Sequence, residues 1–73
     1  MQSEVMKSII DTYVRYGNRT ALEGLRAHRG GLLTYLKALA AGPYDTSNAV
    51  AQLEDDIALI EAGLAKLNTA AAA

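Results

Sequence analysis

His28 is the single histidine of the chain, and it stands beside Arg29 in the stretch LRAHRGGLLTYL between Leu25 and Leu36. An imidazole that titrates near neutrality serves as a general base or a metal ligand, but either role needs company. Its sequence neighbours are Ala27 and Arg29, and the chain contains no cysteine to complete a ligand set. His28 therefore reads as solvent-exposed or merely hydrogen-bonded. Glu54, Asp55 and Asp56 form the densest run of carboxylates. Calcium loops place their carboxylates at alternate positions around a turn-forming glycine. Three consecutive helical positions instead splay around the axis and read as a solvated face. RGGLL has neither the spacing of a phosphate loop nor its following Lys-Ser/Thr. The expectation is a protein that is not an enzyme, with no catalytic residues, no cofactor and no metal.

Arginine is the remaining reactive chemistry. Arg15, Arg19, Arg26 and Arg29 gather around the first turn, with Tyr16 among them. Arginine and tyrosine together suit phosphate contact and base stacking, so a nucleic-acid-associated regulator is the second reading of this sequence. The formal net charge is −1, whereas general nucleic-acid binders are distinctly basic. An acidic third helix would also repel a duplex. Ion pairing, or an acidic protein partner, ranks ahead.

The elements that must carry these residues can be read from punctuation. Few aromatics and β-branched runs, against many Ala and Leu, favour helix over strand. Ser3 and Glu4 suit a helix start. Val5, Met6, Ile9, Ile10, Tyr13 and Tyr16 then recur at helical spacing, predicting a first helix over 3–16 with an unusually wide apolar face. Gly17-Asn18 tolerates the left-handed backbone of a helix end. TALE, from Thr20 to Glu23, fits a capping box and opens a second helix over 20–41, which Gly42 and Pro43 close. Asp45, Thr46 and Ser47 are all competent caps for a third helix over 46–68. An alanine tail, 70–73, has nothing to bury and is expected to fray or be disordered.

Leu22, Leu25, Arg29, Leu32, Leu36 and Leu39 repeat at alternating spacings of three and four, as do Val50, Leu53, Ile57, Ile60, Leu64 and Leu67. A short connection between two such helices forces an antiparallel hairpin. The matching stripes predict layers Leu39–Val50, Leu36–Leu53, Leu32–Ile57, Arg29–Ile60, Leu25–Leu64 and Leu22–Leu67. Basic Arg26, Arg29 and Lys37 on one helix face acidic Glu54, Asp55, Asp56 and Glu61 on the other, which favours the same pairing. The first helix should fold back on Leu33 and Leu59. The predicted fold is all-α: one domain over 1–69, an antiparallel helical hairpin with a shorter N-terminal helix packed on it, a three-helix bundle that a second chain could complete.

Arg29 is the anomaly in an otherwise aliphatic seam, and Gly30-Gly31 follows it inside a helix. The long Arg29 stem can lie along the seam while its head reaches Asp56 or Glu61, setting register, or it can anchor an acidic group on a partner. The glycines allow a kink, a break, or close approach of another helix. With 73 residues, no cysteine and a core of marginal size, association is a natural source of stability. The expected function is a small protein–protein interaction module (adaptor, chaperone, inhibitor or assembly subunit) whose partner is another protein or itself. Arg26, Arg29, Gly30, Gly31, Tyr13, Tyr16 and Tyr35 are the candidate contact residues, since tyrosine and arginine are enriched at binding hot spots. No run of about 18 apolar residues predicts a membrane span. Without a secretory leader pattern or cysteines, the expected location is the cytoplasm.

Overall fold

The computed structural model describes the backbone of residues 2–72 and the side chains of residues 4–69. It is an all-helical bundle of α1 (Gln2–Arg15), α2 (Arg19–Ala40) and α3 (Ser47–Ala72). The helix bounds differ from those expected by one or two residues at most ends. At the C-terminus the helical backbone of α3 continues through Ala72; the side chains of the alanine tail lie outside the described residues. Ser3 falls within α1 rather than ahead of it, and its side chain is likewise outside the description.

The first turn is built as the glycine predicts. Gly17 takes φ 66°, the one positive φ among the described residues. Its amide donates to the Val14 carbonyl at 3.1 Å, and the Asn18 amide donates to the Tyr13 carbonyl at 2.8 Å. Together these bonds are a Schellman closure of α1. The capping box at Thr20 and Glu23 does not form. The left-handed turn at Gly17 is so tight that α2 begins at Arg19, and Asn18 takes the cap position with its side chain accepting from the Ala21 amide at 3.1 Å. Asn18→Ala leaves that donor without its protein partner and should lower stability by about 1 kcal/mol, measured by urea unfolding. Thr20→Ala should have little effect.

The second turn divides its work among all three candidate caps. Val50 donates to the Thr46 carbonyl at 2.9 Å, so Thr46 opens α3, and its hydroxyl reaches back to the Leu36 carbonyl at 2.8 Å. Asp45 accepts from the Ser47 hydroxyl at 2.7 Å and from the Ser47 amide at 3.1 Å. The hydroxyl bond first, and the amide bond second, hold the Asp45 carboxyl below its ordinary value. Gly42 closes α2 by donating to the Leu39 carbonyl at 3.0 Å, without the left-handed conformation expected of it.

Short turns at both junctions make α2 antiparallel to both neighbours, and α2 and α3 form the most extensive interface. Lys37 meets Glu54 across it at 3.7 Å, between two half-exposed side chains; such a pair contributes a few tenths of a kcal/mol. With 14 residues against 22 and 26, α1 is about 21 Å long and covers only the end of the hairpin remote from its turn. The core sits there. Met6 and Ile10 of α1, Leu22 of α2, and Ile60 and Leu64 of α3 are buried, flanked by Tyr13, Val14, Leu25, Leu59 and Leu67. The landing surface is the α3 flank at Leu59, as expected; Leu33, its predicted companion, is half-buried outside that cluster.

Toward the turn the hairpin is only two helices thick. Leu36, Leu39, Val50 and Leu53 are half-buried there. Leu32, predicted to fill a seam layer against Ile57, is instead 41% exposed. The reason is geometric. A two-helix seam shields a narrower stripe than three helices do, and Leu32 lies outside the cluster in which α1 takes part.

Candidate interaction surface

α1 carries two neighbouring apolar stripes, at positions 5, 9 and 13 and at 6, 10 and 14, and a helix of this length can bury only one fully. Met6, Ile10 and Val14 face the core, with Tyr13 packed at its edge. Val5 is left 62% exposed and Ile9 39% exposed. These two side chains, with Met6, form one wall of a groove of about 380 Å³; Arg29 of α2 and Asp56 of α3 complete it. A smaller groove of about 250 Å³ lies on the other flank of α1, between Lys7 and Asp11 of α1 and Leu59, Ala62 and Lys66 of α3.

The larger groove is where the sequence placed its anomaly. Arg29 is half-buried, and its Nη1 donates to His28 Nδ1 at 2.9 Å. That bond makes His28 an exposed, hydrogen-bonded side chain, as its lack of ligand neighbours implied. The predicted ion pairs of Arg29 with Asp56 or Glu61 do not form; Lys37–Glu54 is the one salt bridge among the described residues. Asp56 corrects the reading of the acidic run as a uniformly solvated face. Glu54 and Asp55 are exposed, but Asp56 is only 8% exposed. Its carboxylate accepts from the Gln52 amide one turn earlier at 3.3 Å. The signal for this burial was in the spacing: Asp56, Leu59, Gly63 and Lys66 form a second helical row, and α1 side chains line the grooves along it.

Gly30 and Gly31 lie within unbroken α2, so the break that the sequence allowed does not occur. A Cβ built on either would meet nothing within 4 Å, so neither mediates a close approach inside the molecule. The Thr34 hydroxyl donates back to the Gly30 carbonyl at 3.1 Å, supplying a partner on a helix face that glycine leaves open. The intramolecular close approach is at buried Gly63, where a Cβ would lie 2.6 Å from Ile10 Cγ2.

The tyrosines divide. Tyr13 is partly buried against the core, which removes it as an exposed anchor. Tyr16 is 77% exposed and Tyr35 62% exposed. Tyr44, passed over in the sequence, is 63% exposed at the hairpin turn. Val5 and Ile9 were not among the named contact residues, although the excess width of the α1 stripe already offered leftover apolar surface to a second chain. Arg15 and Arg26 are exposed, while Arg19 and Arg29 are half-buried. No group of three or more His, Asp or Glu side chains among the described residues is placed to hold a metal ion, and no helix among them is long and apolar enough to cross a membrane. Comparison with protein-family models, with curated proteins and with solved structures finds no match to this chain.

Proposed function

We propose that this protein is a small non-enzymatic protein–protein interaction module, acting as an adaptor, chaperone, inhibitor or assembly subunit in the cytoplasm. The observation that supports this reading is the groove between α1 and the hairpin. Val5 and Ile9 stand exposed along one wall, exposed Leu32 lies one turn beyond Arg29, and two opposite charges sit among these apolar groups. Apolar side chains concentrated around a few polar anchors match the centre of a protein interface. Arg29 then has a role that folding does not require. Its stem extends the apolar wall, and its head is bonded only to the adjacent histidine.

The test uses tagged wild-type chain as bait in a native lysate, beside folded Val5→Glu and Arg29→Glu chains. A protein retained by wild type and lost by both variants, whether another protein or a further copy of this chain, supports the reading; equal retention by all three, or neither kind retained by any, overturns it. Arg29→Leu separates binding from folding. Placing an aliphatic side chain beside Val5, Met6 and Ile9 removes a partly desolvated charge, and a gain of about 0.5 kcal/mol corresponds to a rise of about 2–4 °C in Tm. The same change should abolish partner retention, since functional sites commonly trade stability for binding. A large fall in Tm would make Arg29 a structural residue and contradict the assignment.

A further inference from the structure

We propose that the partner on the α1–α2 groove is a second copy of this chain, related by a two-fold axis. The proposal rests on reading the same surface as an interaction site, and it commits that surface to one occupant.

Three observations carry it. The first is area. The chain exposes 5046 Å², whereas a compact monomer of 7.7 kDa exposes about 4300 Å². The excess, about 700 Å², is close to the roughly 800 Å² that each partner contributes to a standard stable interface. The molecule is elongated, 49 × 23 × 15 Å, and Val5, Ile9 and Leu32 are among its exposed large apolar side chains. The second is stability. Five buried apolar side chains form the core, and no disulfide supplements them; chains this small without such staples commonly gain the missing burial by association.

The third is charge. In a two-fold interface the same patch meets itself, so residue i of one chain faces residue j of the other and the reverse. A patch of one sign would repel its copy. This patch holds Arg29 and Asp56 side by side, without an ion pair between them, amid Val5, Ile9 and Leu32. Turned on itself, it can set the Arg29 guanidinium of each chain toward a carboxylate of the other while the apolar side chains close around both pairs. Neither arginine nor carboxylate has that satisfaction within one chain.

Sedimentation equilibrium of the full-length chain, from micromolar to millimolar, reads the outcome directly. The wild-type chain should sediment with twice the monomer mass of 7.7 kDa. Val5→Glu and Leu32→Glu, both at exposed positions, should keep the helical circular dichroism while weakening the dimer by about a hundredfold, because each buries an unpaired charge in the interface. Tyr16→Glu, at the far end of α1, should leave the dimer intact. A wild-type chain that stays monomeric throughout overturns the proposal, and so does a dimer broken by Tyr16→Glu but not by the other two. A monomer that nonetheless retains another protein through Val5 and Arg29 leaves the interaction-module reading standing without this one. A dimer through this face that retains nothing else upholds self-association and ends the case for a separate partner.

Discussion

Ile60→Ala should lower the free energy of unfolding by about 3–4 kcal/mol, among the largest losses expected from a single truncation in this chain. Ile60 is fully buried at the level where all three helices meet, packed with Met6, Ile10, Leu22 and Leu64. Truncation removes the transfer free energy of the lost carbons and leaves a cavity into which the surroundings relax only in part. A chain of 73 residues has a total stability of roughly 4–11 kcal/mol. Ile60→Ala would therefore remove about a quarter of the total at the least, and at the low end would leave the chain barely folded. Guanidinium unfolding followed by circular dichroism checks this, with the midpoint moving and the slope unchanged. Leu32→Ala is the informative comparison. Both residues sit in the apolar stripes that the sequence assigns to the hairpin seam, yet Leu32 is 41% exposed, and its truncation should cost less than about 1 kcal/mol in the monomer. Equal losses at the two positions would contradict the placement of the core at the α1 end.

The second large effect is a reversal of sign for one kind of substitution. Gly30→Ala and Gly31→Ala should each stabilise the chain, by up to about 1 kcal/mol, because alanine favours helix over glycine and the new methyl meets nothing. Gly63→Ala should destabilise it. The added Cβ would lie 2.6 Å from Ile10 Cγ2 and 3.4 Å from Val14 Cγ2. Ile10 is buried and β-branched, so it has almost no other rotamer available in a helix. Relief requires α1 to move off α3, at an overpacking cost of about 1–3 kcal/mol that exceeds or cancels the helix-propensity gain. Gly63→Val should be worse still. Thermal melts of the three alanine variants suffice, and a stabilising Gly63→Ala would show that α1 does not pack where the structure puts it.

These two comparisons also mark where reading the sequence succeeds and where it stops. The six 3–4 positions of α2 and of α3 are correct as helices and as an antiparallel pair, and Leu22, Ile60 and Leu64 are buried as their stripes imply. What the stripes could not show is how far each layer is covered. Leu32 and Leu25 are equivalent letters in the pattern, but Leu25 packs against the three-helix core and Leu32 is left 41% exposed outside it. The charge run misled for a related reason. Glu54, Asp55 and Asp56 look alike in sequence; Asp56 alone lies on the face turned toward α1, and only the position of α1 makes that face buried. The groove was half legible. Arg29 was singled out by its place in an aliphatic stripe, and the width of the α1 stripe promised leftover apolar surface, but nothing local joins Val5 to Arg29.

The sequence by itself determined the number of helices, their approximate ends, the left-handed turn at Gly17 and the antiparallel hairpin. All of these follow from spacing and turn chemistry within a few residues of one another. Tertiary structure alone decided which α1 stripe is buried, that Gly63 rather than Gly30-Gly31 is the point of close approach, and that Asp56 is enclosed beside Arg29. Each of those outcomes depends on the rotation and offset of a short helix against a longer hairpin. Side chains far apart in the chain set that fit through close packing, which sequence periodicity does not encode.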